Sequence, residues 1–374
     1  MGVINMFKSS FQIGKISDIP IKLHISFIIA LPFIAWAVST NIEMLSKIMN
    51  IPYQNMILSD YILGLLITLF LFTSVALHEL GHSFVARSKG QQINSITLML
   101  LGGIAEIKEM TENPDDELKI SLIGPMVSLA IGLTFILIAQ LISSILIADL
   151  RFLILYLGQL NVFLAIFNLL PAFPNDGGRV LRALIAKRKD FLQATKIAVM
   201  VSKIIVFLFG VIGFLYGNFI LILIAFFIYM RANQEFQYSM IKDTLSDLRV
   251  KDLMSNDVSY ISSNLTVKEL LDMMLQKSHS GYPVIDDGKL IGCVTMEDIR
   301  NIKTDNHQEI YVNDIMSTDI KKISPDQDVN KALQILLEED IGRLFVMEND
   351  KLVGIITRTD IFNAFKIKQV EKNL

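Results

Sequence analysis

The residues best suited to chemistry in this chain are His78, Glu79 and His82, in the run His78-Glu79-Leu80-Gly81-His82. Residues four apart on a helix share one face, so both imidazoles can reach a single metal ion. The glutamate between them can hold and deprotonate a water on that ion. The run lies near the end of an apolar stretch, residues 61–86. Ionisable groups inside a membrane span are costly, so three together point to a function rather than to a hydrated helix end. Catalytic zinc commonly takes three protein ligands and leaves one position open, so a third ligand is owed. The remaining histidines are His24, His279 and His307, the last two in the polar half of the chain. Asp176 is a better candidate, in the stretch FNLLPAFPNDGGR. Pro171 and Pro174 break a helix there, and Gly177 and Gly178 let the backbone turn tightly. Aspartate is also an ordinary turn residue, which is the competing reading of Asp176.

These residues need elements to position them, and the composition says which kind. Of 374 residues, 52% are hydrophobic, and the mean hydropathy is +0.50. A soluble globular chain is usually less apolar. The long apolar runs fall in the first 230 residues, and the last 140 read as an ordinary soluble sequence. A bilayer span takes about 20 apolar residues. Six candidates are 23–39, 61–86, 118–147, 152–172, 199–216 and 218–231. Tyr216-Gly217-Asn218 makes a turn between the last two, and the last is short unless its helix runs past Arg231.

Basic residues orient the spans. Lys8, Lys15 and Lys22 precede the first span, Arg87 and Lys89 follow the second, and Arg179, Arg182, Lys187, Arg188 and Lys189 follow the fourth. The alternate connections carry only Lys47 and Arg151. Both termini are therefore expected on the cytoplasmic side. His78, His82 and Asp176 then fall near the inner ends of two spans that run the same way, at one depth. The N-terminal segment shows no apolar core ending in a small-residue cleavage site, so no removable signal peptide is expected. A net charge of −3 gives no reason to expect a nucleic-acid partner. The single cysteine, Cys293, excludes an intrachain disulfide and reads as a buried structural thiol.

The chain resembles the site-2 protease family of intramembrane metalloproteases across roughly residues 15–235, through the HELGH run and a second motif, N-x-x-P-x-x-P-x-D-G, from Asn168 to Gly177. The resemblance implies one zinc ion held by His78, His82 and Asp176. It implies Glu79 as general base for attack on a peptide bond within a substrate's transmembrane segment. Asn168 matches the asparagine of the second motif. Its amide can stabilise the oxyanion or position the substrate, or simply bridge two helices. Residues 95–107 are β-rich, are broken by Gly102-Gly103, and are too short to cross as a helix. They resemble the family's membrane-associated hairpin, whose open edge can pair with an unwound substrate or plug the cavity. Gly124-Pro125 also resembles a family feature, with a helix kink as its simplest role.

The soluble half is an internal repeat. Val250-Lys-Asp-Leu-Met-Ser255 matches Val312-Asn-Asp-Ile-Met-Ser317, and Leu290-Ile-Gly-Cys-Val-Thr-Met-Glu-Asp-Ile299 matches Leu352-Val-Gly-Ile-Ile-Thr-Arg-Thr-Asp-Ile361, both at an offset of 62 residues. Two copies suit a paired globular module better than a solenoid. Each reads strand, helix, strand, strand, helix. The pair resembles tandem cystathionine-β-synthase-type (CBS) domains, whose T-x-x-D ribose and phosphate signature is carried here by Thr295 with Asp298 and Thr357 with Asp360. Aspartate suits ribose hydroxyls, and threonine at a helix start can meet a phosphate. The same residues are also common helix caps. Adenosine nucleotides are the implied ligands.

The expected protein is thus a polytopic α-helical membrane protein of about six transmembrane helices, with a C-terminal α/β tandem CBS module. Its expected domains are a zinc metalloprotease core at 1–235 and CBS domains at 249–304 and 310–366. It would sit as a multi-pass protein in the cell membrane, with the CBS domains cytoplasmic. Its expected partners are the lipid bilayer, a transmembrane protein substrate, an adenine nucleotide and a second copy docked through the CBS pair. A transporter carrying the same regulatory pair is the rival class. A pore has no need of a glutamate between two histidines with a carboxylate at matching depth.

Overall fold

The structure is a computed structural model that describes residues 10–99, 102–107, 111–141, 147–277, 279–300, 302 and 306–373. It divides into two compact units, residues 1–239 and 240–374.

The first unit opens with two strands, β1 (Ser10–Ile16) and β2 (Ile19–His24). Two helices follow, α1 (Ile25–Ser39) and α2 (Ile42–Ile48), bent by 54° at the break between them. Then come α3 (Asp60–Ser88), strands β3 (Ile93–Met99) and β4 (Gly102–Ile107), and helices α4 (Pro114–Leu141), α5 (Ala148–Asn168), α6 (Asp176–Ala186), α7 (Phe191–Leu215) and α8 (Phe219–Thr244). Among the described residues, α3, α4, α5, α7 and α8 are long and apolar enough to cross a membrane, and α1 with α2 makes a sixth if read as one broken span. Large apolar side chains point outward along them, among them Trp36, Phe163, Phe207 and Phe214. That suits a lipid solvent, which rewards apolar surface where water would not.

Three boundaries differ from the sequence expectation for physical reasons. The first apolar tract breaks at Thr40-Asn41, where Asn41 Nδ2 donates to the Ala37 carbonyl and draws the chain out of the helix. The fourth span stops at Asn168, and Asp176 opens a separate short helix, α6, beyond the two prolines. The last span continues as helix to Thr244.

The N-terminal strands join the later hairpin in one sheet, in the order β1-β2-β3-β4. β2 runs parallel to β3, pairing Ile21 with Ile96 and Leu23 with Leu98, and the other pairs are antiparallel. Ile19, Ile96 and Leu98 bury their side chains against Leu80, with Val75 and Ala76 beside them. The sheet therefore lies on the part of α3 that carries the HELGH run. At the other end, Asp149 at the start of α5 accepts hydrogen bonds from the backbone of Ile57 (2.9 Å) and Leu58 (3.0 Å), tying down the loop that leads into α3.

The second unit holds α9 (Val250–Leu253), α10 (Val267–Lys277), β5 (Gly281–Asp286), β6 (Lys289–Thr295) and α11 (Met296–Ile299). A second set follows: α12 (Val312–Ile315), β7 (Lys322–Ile323), α13 (Val329–Glu338), β8 (Arg343–Glu348), β9 (Lys351–Thr357) and α14 (Arg358–Asn373). The sequence repeats and the packed cores are cut differently. Val250 is buried with Leu344, Val346 and Ile356, whereas Val312 is buried with Val284 and Val294. Ser255 bridges to Ile355, and Ser317 to Cys293. Each repeat thus lends its opening segment to the sheet of the other. Met254 fills the space over Gly354, and Met316 fills the space over Gly292.

Candidate metal centre

α3 presents His78 and His82 on its buried side, 4% and 6% exposed. Their Nε2 atoms stand 3.1 Å apart. Asp176 Oδ2 lies 3.2 Å from Nε2 of His78 and 3.3 Å from Nε2 of His82. Among the described residues these three form the only group of histidine, cysteine and acidic side chains close enough to share a metal. With zinc–nitrogen bonds of about 2.0–2.1 Å, two ligands of a tetrahedral ion sit roughly 3.3 Å apart. The observed triangle has that edge length.

The outer contacts of the imidazoles favour the same conclusion. Nδ1 of His82 lies 2.6 Å from the Ile120 carbonyl. A carbonyl only accepts, so Nδ1 carries the proton and Nε2 of the neutral ring is bare. Nδ1 of His78 meets Ser128 Oγ at 2.9 Å. A bare ring nitrogen and a carboxylate oxygen crowded onto one point repel one another unless a cation lies among them. A zinc ion therefore fits the donor set, and the partners on α4 fix the ring orientations as outer contacts of metal-bound histidines usually do.

α4 also makes the room. A Cβ on Gly124 would stand 2.7 Å from Nε2 of His78, and nearer still to Nε2 of His82. Only glycine leaves that space for two imidazoles. Glu117, Ile120, Ser121, Gly124 and Ser128 recur at helical spacing along the buried side of α4. This stripe of small and polar residues was readable in the sequence as a helical face, although the sequence argument stopped at a kink.

Asp176 is held from both sides of its turn. Asn175 Nδ2 donates to the Phe167 carbonyl at 2.8 Å, and the Phe173 amide donates to Ser202 Oγ on α7 at 2.9 Å. Gly177 and Gly178 lie against the backbone of residues 169–173, where a Cβ on Gly178 would come within 2.7 Å of the Phe173 nitrogen. The carboxylate opens α6 at its positive end, a favourable place for negative charge.

Glu79 lies partly buried on α3 against the hairpin. A Cβ on Gly103 of β4 would fall 2.5 Å from Glu79 Cγ. β4 is an edge strand of the sheet, so the glutamate stands beside an open edge. Asn168, the last residue of α5, is partly exposed. Among the described residues no hydrogen bond or ion pair joins it to the His78, His82 and Asp176 cluster. Asn161, one helical face away, is fully buried and donates to Ser74 Oγ at 3.2 Å and to the Leu157 carbonyl at 2.8 Å. His24 caps α1, accepting from the Ser26 amide at 3.1 Å, far from a ligand's task.

In the soluble unit each Thr-x-x-Asp closes on itself. Asp298 Oδ2 accepts from the Thr295 amide (2.7 Å) and hydroxyl (2.8 Å), and Asp360 Oδ2 accepts from the Thr357 amide (2.9 Å) and hydroxyl (2.7 Å). Cys293 is half-buried in β6, and burial pushes its thiol pKa up, away from reactivity.

Comparison with known proteins groups these features. The pattern of peptidase family M50 matches residues 66–146 and 136–211, and that of the CBS domain matches 250–304 and 312–367. A zinc metalloprotease of Methanocaldococcus jannaschii is 35% identical over 366 residues, covering 98% of each chain. The solved site-2 protease of the same organism is 37% identical over 61% of this chain and 95% of its own, with a TM-score of 0.42. A CBS domain-containing protein of Bacillus subtilis is 31% identical over 30% of this chain and 81% of its own.

Proposed function

This chain belongs to peptidase family M50, the membrane-embedded zinc metalloproteases of the site-2 type, and carries a tandem CBS pair; from that premise we propose that His78, His82 and Asp176 hold one zinc ion, with Glu79 as the general base. The observation that carries the assignment is the convergence of two Nε2 atoms and one carboxylate oxygen at 3.1–3.3 Å.

When bound, zinc supplies Lewis-acid chemistry, polarising the scissile carbonyl and acidifying the attacking water. The chain's own residues do the rest. Glu79 takes the proton from the attacking water and passes it to the leaving amine. Ser128 and the Ile120 carbonyl hold the imidazoles in the required orientation. The Asn168 amide steadies the oxyanion or the substrate chain.

The substrate is a transmembrane segment of another membrane protein, cut near the cytoplasmic side in regulated intramembrane proteolysis. A helix hides its peptide bonds, so cleavage needs an extended stretch. The open edge of β4 beside Glu79 offers backbone groups for such a stretch to pair with. The distribution of basic residues supports a multi-pass protein of the cell membrane with both termini and the CBS pair in the cytoplasm.

Adenine nucleotides bind the CBS pair at Thr295, Asp298, Thr357 and Asp360, modulate proteolysis, and act on a homodimer formed through this module. The Thr-x-x-Asp chemistry supports this, whereas the self-closed geometry favours simple capping. Isothermal titration with AMP and ATP decides between them.

The test of the catalytic assignment is Glu79→Gln assayed on a transmembrane substrate. Cleavage should fall by about 10²–10⁴-fold while zinc content is kept. Undiminished cleavage would remove Glu79 as the base.

A further inference from the structure

Arg182 is 3% exposed and takes no part in the chemistry above. It lies on α6, the helix that Asp176 opens. Its Nε donates to Glu117 Oε1 on α4 at 2.9 Å, and Nη2 reaches the same oxygen. Its Nη1 donates to Glu235 Oε1 on α8 at 2.6 Å. The guanidinium also stands 5.0 Å from the ring centre of Phe173 and 4.6 Å from that of Phe191 at the start of α7. One side chain thus ties the Asp176 helix to three others.

The two carboxylates are not equivalent. The Glu117 side chain is 7% exposed and that of Glu235 is 26% exposed. Losing Glu117 would leave a buried guanidinium short of its main partner, which is the costly way to break a buried pair. Losing Glu235 would leave Arg182 and Glu117 as a closed pair with no stranded charge. Glu235 is therefore the arm that can let go. It is carried by α8, the helix that runs on to Thr244 across the division between the two units after Ser239.

We propose that Arg182 is a positioning residue that sets where Asp176 stands against His78 and His82, and that Glu235 links the position of α8 to it. The first turn of α6 has no slack, because Gly177 and Gly178 already touch the backbone of residues 169–173. A displacement taken up at Arg182 is therefore delivered to Asp176 as a tilt of the helix. Ligand geometry at a metal depends on such outer supports. The inference rests on reading His78, His82 and Asp176 as zinc ligands.

The test uses the full chain in lipid nanodiscs, with zinc affinity measured by chelator competition and ligand geometry by the visible absorption of the cobalt-substituted protein. Arg182→Met should weaken zinc binding about tenfold and shift the cobalt bands. Arg182→Lys, which keeps the charge but not the fork, should recover part of the affinity. Glu235→Gln should shift the bands in the same direction by less, with the melting temperature held. If Arg182→Met does not fold, Glu235→Gln carries the test, since it leaves the Arg182–Glu117 pair intact. Wild-type affinity and unshifted bands in both Glu235→Gln and Arg182→Lys would overturn the proposal. A wild-type chain that takes up no zinc would instead overturn the metal reading itself.

Discussion

The His78, His82 and Asp176 cluster and the two Thr-x-x-Asp turns use carboxylates in opposite ways. In the membrane unit, Asp176 faces two imidazoles brought from a distant helix, 98 residues away in the case of His78. In the soluble unit, Asp298 and Asp360 each face a threonine three residues back. A three-residue closure is what a helix start does in any case, and it needs no ligand to explain it. Convergence of buried polar groups from separate elements has no such local cause, and burial makes it costly unless something binds there. The contrast grades the two sites: the first demands a cation, and the second is compatible with a nucleotide.

Changes that touch the distant convergence should be severe, and changes to the local closures mild. The largest effect is expected from Gly124→Ala, which drives a methyl group into the space of both Nε2 atoms. Zinc content should fall and cleavage should drop by roughly a hundredfold or more, as for misplacement of about 1 Å at a reacting centre. Full zinc occupancy in this variant would show that the helices adjust more freely than the packing implies. Gly103→Ala comes next. Its methyl presses on the flexible end of Glu79 rather than on the ligands, so cleavage should fall by about tenfold with zinc retained, a part of what a positioned base contributes. Loss of zinc here would place the hairpin in the metal centre itself.

Ser128→Ala removes the outer partner of His78 and should weaken zinc by about tenfold, again by chelator competition, while leaving the stoichiometry at saturating metal unchanged. The smallest effect belongs to the soluble unit. Thr357→Ala should cost about 1 kcal/mol of stability by thermal unfolding, with no change in zinc content. If it also abolishes AMP or ATP binding without that loss of stability, the turn is a ligand site first and a cap second, and the contrast narrows.

How far the sequence could be read follows the same division between local and distant causes. The four-residue spacing of His78 and His82 is a property of one helix, and so was readable. The proline and glycine signals around Asp176 were readable too, because chain breaks are local. The depth argument placed Asp176 near the histidines only because basic residues mark the ends of spans. The role of Gly124 depends on which helix lies opposite it, and no local signal carries that. The pairing of β2 with β3 joins segments some 70 residues apart, too short to announce their partners. Arg182 read as one more basic flank, because its two glutamates come from α4 and α8. The repeat at 62 residues was plain, yet the exchange of Met254 and Met316 between copies appears only once the sheets are packed.

The most direct test of the account is the zinc content of the purified full-length protein, compared between wild type and Asp176→Ala. Wild type should hold one zinc per chain, and Asp176→Ala well under half of that after dialysis against a weak chelator. A variant that keeps its full complement of zinc would show that the third ligand lies elsewhere and would contradict the centre described here.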